Sequence, residues 1–437
     1  MEGVRKRMTE VHFSGLPSQS NIYGMTTLTM GCDVNSVLVS CLQRNVFCIE
    51  YTRSARNVMV PSTREVQFTY LPEGADVVAM DAFSRPLGNS LDVIIGIAFV
   101  RSGENQPSKQ YLNIYSQGEP GTGVDLDKIA QGCLHLELDY IPYQLTHSQL
   151  FPDEQASRET VFLVSGCDHM IHVFREDESH QSYSEVPVED HFPEFVDIPD
   201  VVLSMALKYT DDDKKRISAF CCEGGLVRVA VTELQHGEIV VTSSWVKDLD
   251  SPLSVIQVFN DSVVKPIPEY LAKAGIRKRE VSGEEPIHLL VGNTLGPSLV
   301  YRDILQQGLD KCVVLPHSEH FDAVTCGCIA DVDMDGTHEV VLGTYGQEVL
   351  VFKLEDERYV PLWQQTVSHP VLSLKYLDIT GDGLRELVVL STKGLHILQV
   401  LCRHYKNICM LSSHLCIVHL QRAYKPAIKG TAGCSCH

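Results

Sequence analysis

Two short acidic stretches hold the residues of this sequence best placed to do chemistry. The first runs Asp331-Val-Asp333-Met-Asp335-Gly336-Thr-His-Glu339, and the second runs Asp378-Ile-Thr380-Gly-Asp382-Gly383-Leu-Arg-Glu386. Carboxylates at alternate positions, closed by a Gly, let oxygens at the first, third and fifth positions converge on a hard cation such as calcium. The first stretch offers Asp331, Asp333, Asp335 and Glu339 for that purpose. The second offers Asp378, Asp382 and Glu386, with Thr380 where a carboxylate would stand, and is the poorer set. The same spacing also serves a purely structural end, in which Asp side chains cap the N–H groups of a turn and Gly supplies a positive φ. Matching positions lie 47 residues apart, so one structural element occurs twice.

No other stretch carries a mechanism. There is no phosphate-binding GxxxxGK[ST], no HExxH and no GxSxG. Cys326-Gly-Cys328 is not a CxxC pair, and its neighbours read as strand. His172, His288 and His396 fall inside apolar runs, where a hydrogen-bonded structural imidazole is the expected role. The chain is therefore read as not an enzyme. Lys273-Ala-Gly-Ile-Arg277-Lys278-Arg279 is a basic loop within an acidic protein and a candidate partner-binding site, with Lys273, Arg277, Lys278 and Arg279 as its charges.

The acidic stretches are embedded in a repeat. A short apolar strand ending in a small residue, a turn and a second apolar strand recur seven times. The first strands end at Ser40, Gly96, Ser165, Cys222, Gly292, Gly343 and Ser391, at intervals of 48 to 70 residues. That interval suits four-stranded blades with variable loops, at roughly 40–50 residues for the shortest. Runs of Val, Ile and Leu are what strands buried on both faces should contain. The fold class is all-β, a seven-bladed β-propeller, with a two-sheet sandwich as the alternative. Small residues are expected where blades crowd together near a channel. The last unit lacks a fourth strand, and Glu10-Val-His-Phe-Ser is the segment able to supply it and remove an open edge. The domain expectation is a propeller over 1–400, residues near 10–16 closing its last blade, and an irregular Cys/His-rich tail over 401–437. Leu134-His-Leu-Glu-Leu-Asp alternates as an outer strand would.

With 36 Lys and Arg against 56 Asp and Glu, the formal net charge is −20. Such a surface repels phosphate backbones and anionic lipid, so neither nucleic acid nor direct membrane insertion is expected. The basic N-terminus has no apolar core behind it, and 15 Cys lack a disulfide framework spacing. A cytoplasmic protein with reduced thiols is the reading, and Cys41, Cys48, Cys221 and Cys222 are expected in the core.

Strands on both sides of each acidic stretch, and an acid at the ninth position rather than the twelfth, resemble the FG-GAP repeat of integrin-type propellers more than an EF-hand. Longer segments, in order from about residue 10 to 400, are similar to the kaptin family. They include Ser18-Gln-Ser-Asn-Ile-Tyr-Gly24, Tyr111-Leu-Asn-Ile-Tyr, Ile129-Ala-Gln-Gly-Cys-Leu-His-Leu-Glu-Leu138, Tyr301-Arg-Asp and Thr344-Tyr-Gly-Gln-Glu348, besides the two acidic loops. The resemblance implies a non-catalytic scaffold subunit of KICSTOR. That assembly recruits the GATOR GTPase-activating complex to lysosomes and restrains TOR kinase signalling during amino-acid or glucose starvation. Implied partners are a second FG-GAP-type propeller, a very large scaffold subunit and, indirectly, GATOR; the implied place is the lysosomal surface, reached through partners. An alternative that the same resemblance implies is an actin-binding adaptor at the cell cortex, lamellipodia and stereocilia. Residues 401–437 depart from the family's helical, Arg-rich ending. Five Cys and four His there lack any CxxC pair, and a poorly ordered tail is expected.

Overall fold

A computed structural model describes residues 8–29, 35–54, 59–87, 90–103, 106–117, 124–152, 158–177, 182–210, 213–262 and 285–400. They form seven four-stranded antiparallel sheets. The first strand among the described residues, β1 (Met8–Gly15), is the outer strand of the last sheet. Blade one is β2 (Met25–Thr29), β3 (Asn35–Ser40), β4 (Val46–Arg53) and β5 (Met59–Val66). Blade two is β6 (Ala75–Leu87), β7 (Ser90–Gly103), β8 (Gln106–Tyr115) and β9 (Cys133–Leu138), with the short helix α1 (Leu126–Ile129) before β9. Blade three is β10 (Pro142–Gln149), β11 (Thr160–Gly166), β12 (Ile171–Asp177) and β13 (Ser182–Val186), and α2 (Val188–His191) follows it. Blade four is β14 (Val202–Thr210), β15 (Lys215–Cys222), β16 (Leu226–Gln235) and β17 (Glu238–Asp248). Blade five is β18 (Leu253–Asn260), β19 (Ile287–Asn293), β20 (Leu299–Tyr301) and β21 (Cys312–Val314). Blade six is β22 (Val324–Ala330), β23 (Glu339–Thr344), β24 (Glu348–Glu355) and β25 (Arg358–Thr366). Blade seven is β26 (Val371–Leu377), β27 (Glu386–Ser391) and β28 (Gly394–Val400), with β1 paired antiparallel to β28.

Each blade packs on the next through its own apolar cluster. The seventh cluster closes the ring, setting Val37, Val39 and Ile49 of blade one against Leu372, Val388 and Leu390 of blade seven. Second strands are therefore covered on both faces, and β19, β23 and β27 are buried along their whole length. Outer strands alternate instead, as β17 does, because one face meets solvent.

The hairpins legible in the sequence are the second and third strands of each blade, not strands beside the channel. First strands such as β2 (MTTLT) and β22 (VTCGCIA) line the axis side by side and are less apolar. The recurrent small residue lies where a second strand meets the first strand of the next blade. A Cβ added at Gly343 would stand 2.5 Å from Val371 Cγ1, which explains the absence of a side chain there. In blade two the strand runs on past Gly96 to Gly103. Cys41, Cys48, Cys221 and Cys222 are buried free thiols.

In six blades a β-bulge interrupts the pairing of the first two strands near the start of the first, as between Val324 and Cys326. Polar side chains at or next to the bulge then reach the neighbouring blade. Gln144 Oε1 accepts from Met205 N at 2.7 Å, Ser254 Oγ donates to Val324 O at 2.5 Å, and Thr325 Oγ1 donates to Val371 O at 2.7 Å. This belt fixes the blades relative to one another.

Candidate functional site

The two acidic stretches are the turns from first to second strand in blades six and seven. Gly336 (φ 89°) and Gly383 (φ 84°) occupy the left-handed region that a side chain would resist. The Asp331 carboxylate accepts from the N–H of Asp335 (3.0 Å) and Gly336 (3.1 Å). Asp378 accepts from Gly381 (2.7 Å), Asp382 (3.2 Å) and Gly383 (2.6 Å). Glu339 and Glu386, each fully buried at the start of a second strand, reach back to the N–H of Val332 (2.9 Å) and Ile379 (3.1 Å). Most of these oxygens therefore organise the turn itself.

Carboxylate oxygens of Asp331, Asp333 and Asp335 lie within 4.8 Å of one another, the convergence that a cation needs. Two of the three already meet a cation. Lys353, reaching across from β24, places Nζ 2.6 Å from Asp333 Oδ2, 2.5 Å from Asp335 Oδ2 and 3.1 Å from Glu339 Oε1. Three ammonium protons thus meet three carboxylates. A divalent ion among Asp331, Asp333 and Asp335 would stand within a few ångströms of that ammonium and would compete with it for Asp333 and Asp335. At the corresponding place in blade seven, β28 supplies Gln399, whose Nε2 donates to Glu386 Oε1 at 3.2 Å. Thr380 Oγ1 lies 3.4 Å from the same oxygen, so the second loop is bridged by neutral donors.

Burial pushes the Asp331 carboxyl up to about 6. Burial, with the negative charge of Asp333 added, pushes Glu339 up to about 8. Burial also holds Glu386 well above the carboxylate range, helped by Asp382 and Asp378. Asp335 goes the other way, because hydrogen bonds from Lys353 and Thr337 outweigh its burial. These environments disfavour loose negative charge and suit a structural fastening of loop to strand.

The three histidines sit apart, in blades three, five and seven. His172 stacks on Tyr140 and lies 2.7 Å from Glu185, His288 Nδ1 accepts from Asp303 N at 2.9 Å, and His396 lies 2.7 Å from Glu10 of the closing strand. Each fastens neighbouring segments. Lys273, Arg277, Lys278 and Arg279 lie outside the described residues, as does the tail over 401–437.

Sequence reasoning passed over Tyr23. From the loop before β2 its hydroxyl donates to Leu203 O in blade four at 2.6 Å, so the side chain spans the channel. Asn21 sets it up, accepting from Tyr23 N (2.8 Å) and donating to Val77 O in blade two (2.8 Å). Tyr23→Phe keeps the ring and removes one hydrogen bond, so unfolding should cost about 1 kcal/mol less, a modest drop in thermal midpoint. A variant as stable as the parent would show that the contact across the channel contributes nothing.

The family model described as KICSTOR complex protein kaptin matches residues 8–410. KICSTOR complex protein kaptin of Mus musculus is 38% identical over 399 residues, spanning 90% of this chain and 88% of that protein. The solved structure of the Dos1 propeller aligns at 9% identity with a TM-score of 0.49, over 90% of this chain and 95% of that one. With the family match running from the closing strand through every blade, the chain belongs to the kaptin family.

Proposed function

We propose that the chain is a non-catalytic scaffold subunit of the KICSTOR complex. It helps recruit the GATOR GTPase-activating complex to lysosomes and restrains TOR kinase signalling when amino acids or glucose are scarce. The observation that carries this reading is the family match over residues 8–410, which leaves no blade outside it. A ring whose blades are locked by apolar clusters and by inter-blade hydrogen bonds supports it, since such a body holds surface loops in fixed relation. Its neighbours in this reading are a second FG-GAP-type propeller and a very large scaffold subunit. Contacts of that kind bury on the order of 1,200–2,000 Å² or more. The chain reaches the lysosomal surface through these partners, and no helix among the described residues is long and apolar enough to cross a membrane.

Affinity purification of the tagged chain from fed and starved cells, with quantitative mass spectrometry, tests this. A large scaffold subunit and a second propeller at near-equal stoichiometry are the expected result. Recovery of actin and its regulators without that assembly would overturn it in favour of a cortical adaptor.

A further inference from the structure

One face of the ring is built from the turns between second and third strands and from the loops that lead into first strands. The two are stitched together around the axis. Leu42, Cys167, Glu223, Thr294, Tyr345 and Thr392, each in such a turn, donate their N–H to a carbonyl of the adjoining loop at 2.8–3.1 Å. The face is therefore a firm surface rather than a set of independent loops.

Its side chains are unusual for a solvent-facing surface. Twelve large apolar residues are exposed among those described, and seven of them lie in these turns and loops. The other five lie on outer strands, and none lies in the described turns of the opposite face. Over blades three to six the pattern is densest. Ile141 and Met170, on a loop and a turn tied by the Cys167 N–H to Ile141 carbonyl bond, are 44% and 51% exposed, while Leu295 and Tyr345 reach 76% and 53%. Exposed apolar groups gathered on one rigid face mark an interaction surface.

Charge identifies the partner. The turns and loops of this arc contain no Lys or Arg of their own; Arg228 of β16 reaches the loop into β14, where the carbonyls of Val196 and Asp197 hold its guanidinium. Carboxylates stand between the apolar residues: Asp139 and Asp168 in blade three, Glu223 in blade four, Asp250 in the loop to blade five, and Asp322 next to the Tyr345 turn. Asp139 and Asp250 are exposed and have no hydrogen-bond or ion-pair partner among the described residues. The loop into β22 also lines an apolar pocket of about 390 Å³ with Leu350, Pro361 and Trp363, room for a large side chain. Nucleic acid and anionic lipid are repelled by such a surface, and a second copy of this face would oppose like charges.

We propose that this face, over blades three to six, docks a Lys/Arg-rich amphipathic segment of a partner protein. Apolar side chains of that segment cover Ile141, Met170, Leu295 and Tyr345, and its cations meet the carboxylates between them.

The test uses the full chain and a fluorescein-labelled amphipathic Leu/Lys helical peptide, with a Leu/Glu peptide of the same pattern as comparison, read by fluorescence polarisation. The Leu/Lys peptide should bind saturably, and more weakly as salt rises. Combined M170S, L295S and Y345S should weaken it roughly tenfold, as loss of central apolar contacts does. Combined D139N and D250N, which touches no turn-capping carboxylate, should weaken it severalfold. V240S with V246S, on the exposed side of β17, should leave it unchanged. Unfolding midpoints of all variants confirm that the fold is kept, and if the triple variant does not fold the Asn pair decides. No saturable binding, equal binding of the Leu/Glu peptide, or parental affinity in the arc variants would overturn the proposal.

Discussion

Arg216→Met is expected to lower the stability of the propeller by about 3–5 kcal/mol, seen as a clear fall in the denaturant midpoint. Arg216 and Glu194 both have fully buried side chains. The guanidinium donates to Glu194 Oε1 (2.8 Å) and Oε2 (3.0 Å) in a two-pronged pair, and to the carbonyl of His191 (2.7 Å). Its remaining surface is covered by the rings of Phe192 and Phe151, at 4.2 and 4.7 Å. Ser218 Oγ donates to Glu194 Oε1 at 2.7 Å, so the carboxylate is satisfied as well. These groups hold the loop after α2 in the seam between blades three and four. Met fills part of the volume but leaves the Glu194 charge buried with little to balance it. Replacing both partners by Met should therefore recover much of the loss, since the pair costs a desolvation that two apolar side chains avoid. If R216M alone melts like the parent, the ion pair does not hold the seam.

What the sequence disclosed follows from what each strand buries. Second strands lie between two blades, so they read as continuous Val, Ile and Leu runs, and their sevenfold recurrence gives a ring. First strands face the channel, and Thr, Ser, Gly and Cys in them weaken the apolar signal; β2 was missed for that reason, while β22 read only as an isolated strand around Cys326 and Cys328 and not as part of the repeat. The acidic loops were legible as turns because Asp at fixed offsets and Gly336 or Gly383 are local devices. Lys353 was not, because its role depends on the pairing of β23 with β24, which puts Phe352, the residue before Lys353, opposite Val340, the residue after Glu339. Tyr23 and the Arg216–Glu194 pair were hidden likewise: the partner of Tyr23 is 180 residues away on the far side of the ring, and Glu194 and Arg216 are 22 residues apart and meet only where blades three and four pack. The motif Ser18–Gly24 stood out by resemblance, yet nothing in its spacing could say that its Tyr crosses the channel.

Lys353→Met should cost about 2–3 kcal/mol at neutral pH, below the range for a fully buried pair because the Lys353 side chain keeps 16% of its exposure. The deficit has a direction in pH. Glu339 has its folded pKa raised to about 8 by burial, and Asp331 to about 6. Their neutral forms stabilise the fold below the unfolded carboxyl range, and that contribution is lost as pH rises through the folded values. At pH 5 these two carboxyls hold their protons and need the ammonium little. Toward pH 8 and above they ionise, and the ammonium becomes the charge that offsets them. The gap in thermal midpoint between K353M and the parent should therefore widen from pH 5 to pH 8.5. Calcium separates the two ways of satisfying the loop. The parent should melt identically with calcium or with a chelator, since Nζ holds the convergence point of Asp333, Asp335 and Glu339. K353M, with four carboxylates and no resident cation, should gain stability from calcium at pH 8.5. A parent that is stabilised by calcium would mean that the lysine yields its place to the ion, and that the loop in blade six is a metal site after all.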